Sequence, residues 1–204
     1  MPTEKSERER HGCGAGKHRS GLQALEYLER SCGIYRELGD LKKVANIYNS
    51  MGLVHLESEE LDKATDLLFE ALSIARSEDV PMVVKSTTGN LGIVYFMKEQ
   101  YSRALQFFEK GIEYCAAAGD HKNVAGGLIN VGTTLIHMGE YERALEHLDS
   151  GMKLAEKLRA MDFVMSGYEA YVTLYGKTGE AVKAAEYGKL LEELRKELAG
   201  PKRG

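Results

Sequence analysis

Proline is scarce in this chain of 204 residues, with three copies at positions 2, 81 and 201. The long interval between them carries no helix breaker of that kind. Alternating β-branched runs, the mark of half-buried strands, are scarce too. Ala, Leu, Glu, Lys and Arg fill most of residues 22–198 instead, so an all-helical chain is expected. Cysteine is equally sparse: Cys13, Cys32 and Cys115 are odd in number, far apart and in no ligand-like spacing. That excludes a disulfide framework and fits reduced thiols in the cytoplasm, with Cys115 as a small core residue. An excess of one charge is also missing, since 27 basic residues against 31 acidic ones leave −4. Nucleic acid, which demands a concentrated basic footprint, is not an expected partner. No apolar run approaches the roughly 20 residues of a membrane span, and the N-terminus is charged rather than signal-like. A soluble, cytoplasmic protein without a membrane partner is expected.

What the chain has in quantity is glycine, 22 residues of it, an odd choice for helices. Comparing the chain with itself supplies the reason. Segments 48–72, 88–112 and 128–152 superimpose without a gap at a shift of 40. Gly52, Gly92 and Gly132 coincide, as do Ala64, Ala104 and Ala144. Leu61, Tyr101 and Tyr141 form a third series and Leu68, Phe108 and Leu148 a fourth; Ala24 and Ala184 extend the ladder at both ends. Each unit reads as two helices. Gly139 and Gly179 suit the left-handed residue that closes the first helix. Gly39-Asp40 and Gly119-Asp120 suit the end of a second helix followed by an aspartate N-cap. Glu59 and Glu99 stand where those first-helix glycines stand, at an expected cost of about 1 kcal/mol each if the turn is left-handed. The inner small residues read as holes where helices cross closely. Gly92 and Ala104 would admit Tyr95, Tyr101 and Phe108, and enlarging Ala104 or Ala144 to Leu would overpack the crossing by about 1–3 kcal/mol.

Glycine then an aromatic in the first helix, with aromatic-x-x-Ala and a further large apolar residue in the second, resembles the tetratricopeptide repeat. The 40-residue length is similar to the variety in cell-polarity adaptors, kinesin light chains and peptide-sensing bacterial regulators. "ALEYLERS" and "IYRELGD", within 24–40, are typical of it. The resemblance covers residues 22–198, about 4.5 repeats. Residues 1–21 would be an N-terminal tail or degenerate first helix, and 199–204 a C-terminal tail. The resemblance implies an all-α fold, a right-handed superhelical α-solenoid of stacked antiparallel helix pairs. The last unit, 165–198, departs from the pattern at Val172, Ala181 and Gly188, as a terminal cap does. Residues 1–21, poor in large apolar side chains, would leave Leu25, Leu28 and Ile34 uncovered on one side. A homo-oligomer through the N-terminal end is therefore expected.

Motifs with chemical potential do not assemble. "GCGAGKHRSG" (12–21) has Gly16-Lys17, but His11 stands where a phosphate loop needs glycine and His18 where it needs a hydroxyl. His11, His18, His55, His121, His137 and His147 offer no convergent metal-ligand set. His55 falls in the core series of Tyr95 and Tyr175, and the carboxylates are distributed along helix surfaces. Neither an enzyme nor a cofactor is expected.

The groove remains. In a superhelix of paired helices the first helix of each unit lines the inner surface. Counting from Ala45, Lys85, Ala125 and Met165, positions two, five, six, nine and thirteen point inward. These hold Asn46, Asn49, Ser50, Leu53 and Glu57 in one unit and Ser86, Gly89, Asn90, Ile93 and Met97 in the next. Gly126, Ile129, Asn130, Thr133 and His137 follow, then Ser166, Glu169, Ala170, Thr173 and Lys177. Asn90 and Asn130 share one register, and an amide that both donates and accepts can pair with the main chain of any peptide. In the family, asparagines at this position often do so; the plain alternative is that both amides bind neighbouring backbone or water. A clamp for a C-terminal carboxylate would need Lys or Arg inward, and only Lys177 is basic. The expected function is a protein–protein interaction scaffold that holds a peptide segment or partner helix in its concave groove. A peptide-sensing regulatory module and a self-assembling structural subunit are the alternatives.

Overall fold

A computed structural model of the chain describes residues 4–200, with side chains from Gly21 onward. The readings placed on residues 1–20, including the glycine-rich loop, His11 and His18, and on the tail beyond Gly200 lie outside the described side chains. Nine α-helices and no strand occur among the described residues: α1 (Glu4–Glu37), α2 (Leu41–Glu57), α3 (Leu61–Ser77), α4 (Pro81–Met97), α5 (Tyr101–Ala117), α6 (His121–Met138), α7 (Tyr141–Lys157), α8 (Met161–Thr178) and α9 (Ala181–Ala199). The expected all-α repeat is the fold observed.

Turns set the spacing. A left-handed residue recurs every twentieth position, as Gly39, Glu59, Asp79, Glu99, Gly119, Gly139, Arg159 and Gly179, with φ between 51° and 81°. The next amide reaches back five residues, from Asp40 to the Tyr35 carbonyl at 2.9 Å and from Glu140 to that of Leu135 at 3.0 Å. This is the Schellman closure, which satisfies carbonyls that a helix end would otherwise leave unpaired. Asp40 and Asp120 then cap α2 and α6 through the Lys43 and Asn123 amides, as expected. Val80 and Ala160, at equivalent places, offer no capping side chain.

The chain divides after Lys98 into two compact units. In the first, Cys32, Val44, Ile47, Tyr48, Met51 and Ala71 form a buried core. Gly52 lies under Leu68, and a Cβ there would stand 2.7 Å from Leu68 Cγ. In the second unit Gly132 bears the same relation to Leu148, at 2.7 Å. The small-against-large exchange read from the sequence is thus present inside each unit. Ala64, Ala144, Leu68 and Leu148 have no exposed surface, and Cys115 is buried.

Of the three residues expected to lack cover at the N-terminal end, Ile34 is exposed while Leu25 and Leu28 are half-buried. Leu25 and Leu28 are not left bare, because they pack on the Cys32 and Val44 core. The large apolar residues that meet solvent here are Leu22 (52% exposed), Tyr27 (70%) and Ile34 (58%) on α1 and Leu38 (71%) just past its end; Tyr27, Ile34 and Leu38 lie on the side away from the core.

Candidate functional site

In the first unit α2 and α4 lie side by side, and most positions read as inward form the part-exposed strip between their buried faces. Asn49, Ser50, Leu53, Gly89 and Asn90 are half-buried; Asn46, Ser86, Ile93 and Met97 are exposed. Three of the polar ones are occupied by their own helix. Asn46 Nδ2 donates to the Lys42 carbonyl at 2.9 Å, Ser50 Oγ to that of Asn46 at 3.0 Å and Ser86 Oγ to that of Val83 at 3.2 Å. Asn49 and Asn90 behave differently. Asn49 Oδ1 accepts from Asn90 Nδ2 at 3.0 Å and from Thr87 Oγ1 at 2.9 Å, so one carbonyl ties α2 to α4. Asn49 Nδ2 and Asn90 Oδ1 keep no bond among the described residues, leaving a donor and an acceptor at the surface. The partner of Asn90 is therefore a side chain, not the backbone. Thr87, fully buried, is a member that the repeat pattern did not mark.

In the second unit the corresponding strip on α6 and α8 is narrower. Asn130, Thr133 and Thr173 are half-buried, while His137 and Lys177 are exposed. Three positions read as inward are corrected: Gly126, Ile129 and Ala170 are buried. The Phe163 ring covers Gly126 so closely that a Cβ would lie 2.5 Å from it, and Ile129 is pressed against Gly151 of α7. Thr133 and Thr173 return their hydroxyls to the Ile129 and Glu169 carbonyls, both at 2.9 Å. The Asn130 side-chain amide has no hydrogen bond among the described residues.

His137 Nδ1 lies 3.4 Å from the Tyr101 hydroxyl, and the two rings are 5.3 Å apart, tilted by 35°. Partial burial, and then the Lys177 ammonium, hold the imidazole below its ordinary pKa; Glu99 opposes them. Neutral imidazole is the favoured form, able to exchange a hydrogen bond without presenting a full charge. His55 is half-buried and paired with Glu60 at 2.5 Å, in the core-edge role its register implied. Among the described residues no group of three or more His, Cys, Asp or Glu side chains could hold a metal ion. No described helix is long and apolar enough to cross a membrane.

Helix pairs of constant length, closed by the same turn and packed small against large, are the geometry of a helical repeat. Residues 84–157 match the tetratricopeptide repeat. The chain superposes on the nearly identical TPR-like repeats of a putative kinesin light chain from Podosopora anserina with a TM-score of 0.69 at 15% identity, over 98% of this chain and 100% of that one. The fold is that of the tetratricopeptide repeat. A Rap protein complexed with competence and sporulation factor shares this fold, with a TM-score of 0.69 at 14% identity over 90% of this chain and 61% of that one. In sequence, the Tonsoku-like protein of Danio rerio is 25% identical over 122 residues, 60% of this chain and 8% of that protein. The chain spans between 8% and 36% of the length of the curated relatives it matches.

Proposed function

We propose that the chain is an interaction scaffold that binds a polypeptide segment, an extended peptide or a partner helix, on the face of its first helices. It performs no chemistry of its own. The observation that carries this reading is the Asn49–Asn90 pair, with one amide donor and one acceptor free beside the apolar Leu53, Ile93 and Met97. A peptide backbone offers one acceptor and one donor per residue whatever its sequence, so such a pair grips main chain while the apolar floor selects side chains. Asn130 in the second unit, with its amide unpaired, supports the same role. Gly89 adds to it: a Cβ there would meet no atom within 4 Å, so packing does not require glycine at a mid-helix position where it costs about 1 kcal/mol. Room for a close-lying backbone is what it provides. That a Rap protein of this fold forms a complex with competence and sporulation factor is in keeping with a binding role. A protein partner fits the mildly acidic surface better than nucleic acid does.

The test is selection from a displayed library of random dodecapeptides, followed by calorimetric titration of the enriched peptide into the full chain. The Asn90→Ala/Asn130→Ala variant is expected to bind roughly tenfold or more weakly, as loss of two hydrogen bonds implies. Equal affinity in the two proteins would contradict the assignment. Truncating the peptide separates a sensor, which keeps affinity for a short free peptide, from an adaptor, which loses it.

A second reading is favoured by the exposed stripe of Tyr27 and Ile34 on α1 and Leu38 just past its end. An apolar stripe of this kind drives self-association. Light scattering at micromolar concentration then gives a mass above the monomer that falls in Ile34→Lys/Leu38→Lys; a monomer in both proteins removes this reading.

A further inference from the structure

The last helices carry chemistry that the repeat does not need. A cavity of about 370 Å³ opens among α7, α8 and α9, lined by Asp149 and Glu156, by Tyr168 and Tyr171, and by Tyr187 and Leu190. The rings form one cluster: Tyr171 and Tyr187 are stacked with centroids 4.5 Å apart, and Tyr168 lies 5.9 Å from Tyr187 at 45°. Nothing in the repeat pattern calls for this. At the registers of Tyr168, Tyr171 and Tyr187, the preceding unit has Leu128, Val131 and His147, and the one before it Thr88, Leu91 and Phe107. Beside Tyr187, Gly188 replaces the large residue of the Leu68, Phe108 and Leu148 series, and a Cβ there would meet nothing within 4 Å.

Charge completes the picture. The Tyr171 hydroxyl donates to Asp149 Oδ1 at 2.5 Å, but neither Asp149 nor Glu156 has a cationic partner among the described residues. Lys153 also lines the cavity, so two carboxylates face one ammonium and the lining carries a net charge of −1. Electron-rich tyrosine faces next to carboxylates stabilise a cation twice over, by the ring quadrupole and by charge. The cluster already does this on its far side, where Lys183 Nζ stands 4.8 Å above the Tyr175 ring. Burial pushes the Tyr168, Tyr171 and Tyr187 phenols up, so they stay uncharged at neutral pH.

We propose that this tyrosine and carboxylate cavity is a second binding site, which takes the cationic side chain, arginine or lysine, of a partner polypeptide. It is distinct from the surface proposed above. Tyr168, Tyr171 and Tyr175 follow one another along one side of α8, while Thr173 and Lys177 lie on the other.

The experiment titrates three capped tripeptides, Gly-Arg-Gly, Gly-Lys-Gly and Gly-Glu-Gly, into the isotopically labelled full chain and follows the tyrosine ring signals. The arginine and lysine peptides are expected to move the Tyr168, Tyr171 and Tyr187 signals saturably at millimolar concentration, and the glutamate peptide to leave them in place. Tyr187→Leu weakens the response about tenfold, by loss of the ring face. Asp149→Asn/Glu156→Gln, which keeps the ring cluster and an acceptor for the Tyr171 hydroxyl, weakens it by at least as much and serves if Tyr187→Leu fails to fold. Binding of the glutamate peptide with equal strength, silence of the tyrosine signals towards both cationic peptides, or full binding by the neutralised variant would each overturn the proposal.

Discussion

Gly132 and Gly188 both sit in helices of the repeat and are glycine for opposite reasons. At Gly132 a Cβ would collide with Leu148 Cγ at 2.7 Å and crowd the Ala144 carbonyl at 3.1 Å, whereas at Gly188 it would enter open space. Gly132→Ala should therefore destabilise the protein by about 1–3 kcal/mol through overpacking. Gly188→Ala should stabilise it by about 0.5–1 kcal/mol through helix propensity. Chemical denaturation separates the two, and the reverse order would refute the packing described. His137 supplies a pH-dependent case. Its imidazole is held below the ordinary histidine pKa, first by burial and then by Lys177. A depressed value means that the stability contributed is present above the ordinary histidine pKa and is lost as pH falls through the lower folded value. Removing the ammonium in Lys177→Ala should move the His137 titration upward when followed by NMR. An unchanged or lower midpoint would show that Lys177 does not act on it.

At the scale of the element, the turns carry the most direct test. Glu59 and Arg159 adopt φ of 59° and 53°, a region that costs a residue with a Cβ about 1 kcal/mol or more and glycine little. Both are exposed, so Glu59→Gly and Arg159→Gly should each raise stability by about 1 kcal/mol, or a melting temperature by about 2–4 °C. A loss of stability in both would mean the turns are not closed as described. How much of this was legible follows from the same residues. The turn at Glu59 and Glu99 was readable because a shift of 40 aligns them with Gly139 and Gly179. The finer period of 20 was hidden, since the two helices of a pair bury different faces and share only their turn. For the candidate surface, register placed Asn90 with Asn130, but the hydrogen bond of Asn90 runs to Asn49, 41 residues away rather than 40. Neighbouring helices meet with an offset that a repeat alignment cannot express. Ile129, Gly126 and Ala170 were misread as inward because partners from other helices, such as Phe163 over Gly126, decide burial there.

Taken whole, the chain is two compact units built from a module of helix and left-handed turn that returns every twentieth residue. The repeat fixes which positions must be small and buried, and the free ones differ between units. The first unit presents linked asparagines beside apolar residues. The second presents an unpaired Asn130 and a neutral histidine on one side of its helices, and tyrosines with carboxylates on the other. Individual chemistry on a constant frame is how a helical repeat acquires a specific partner. The central claim, that polypeptide is held on the face of the first helices, is tested most directly by the side-chain amide signals of Asn49, Asn90 and Asn130. With the library-selected peptide titrated into the labelled full chain, shifts of the Asn49 and Asn90 amides, or of the Asn130 amide, are predicted. Saturable binding that leaves all three in place and moves only signals from α3, α5, α7 and α9 would contradict it.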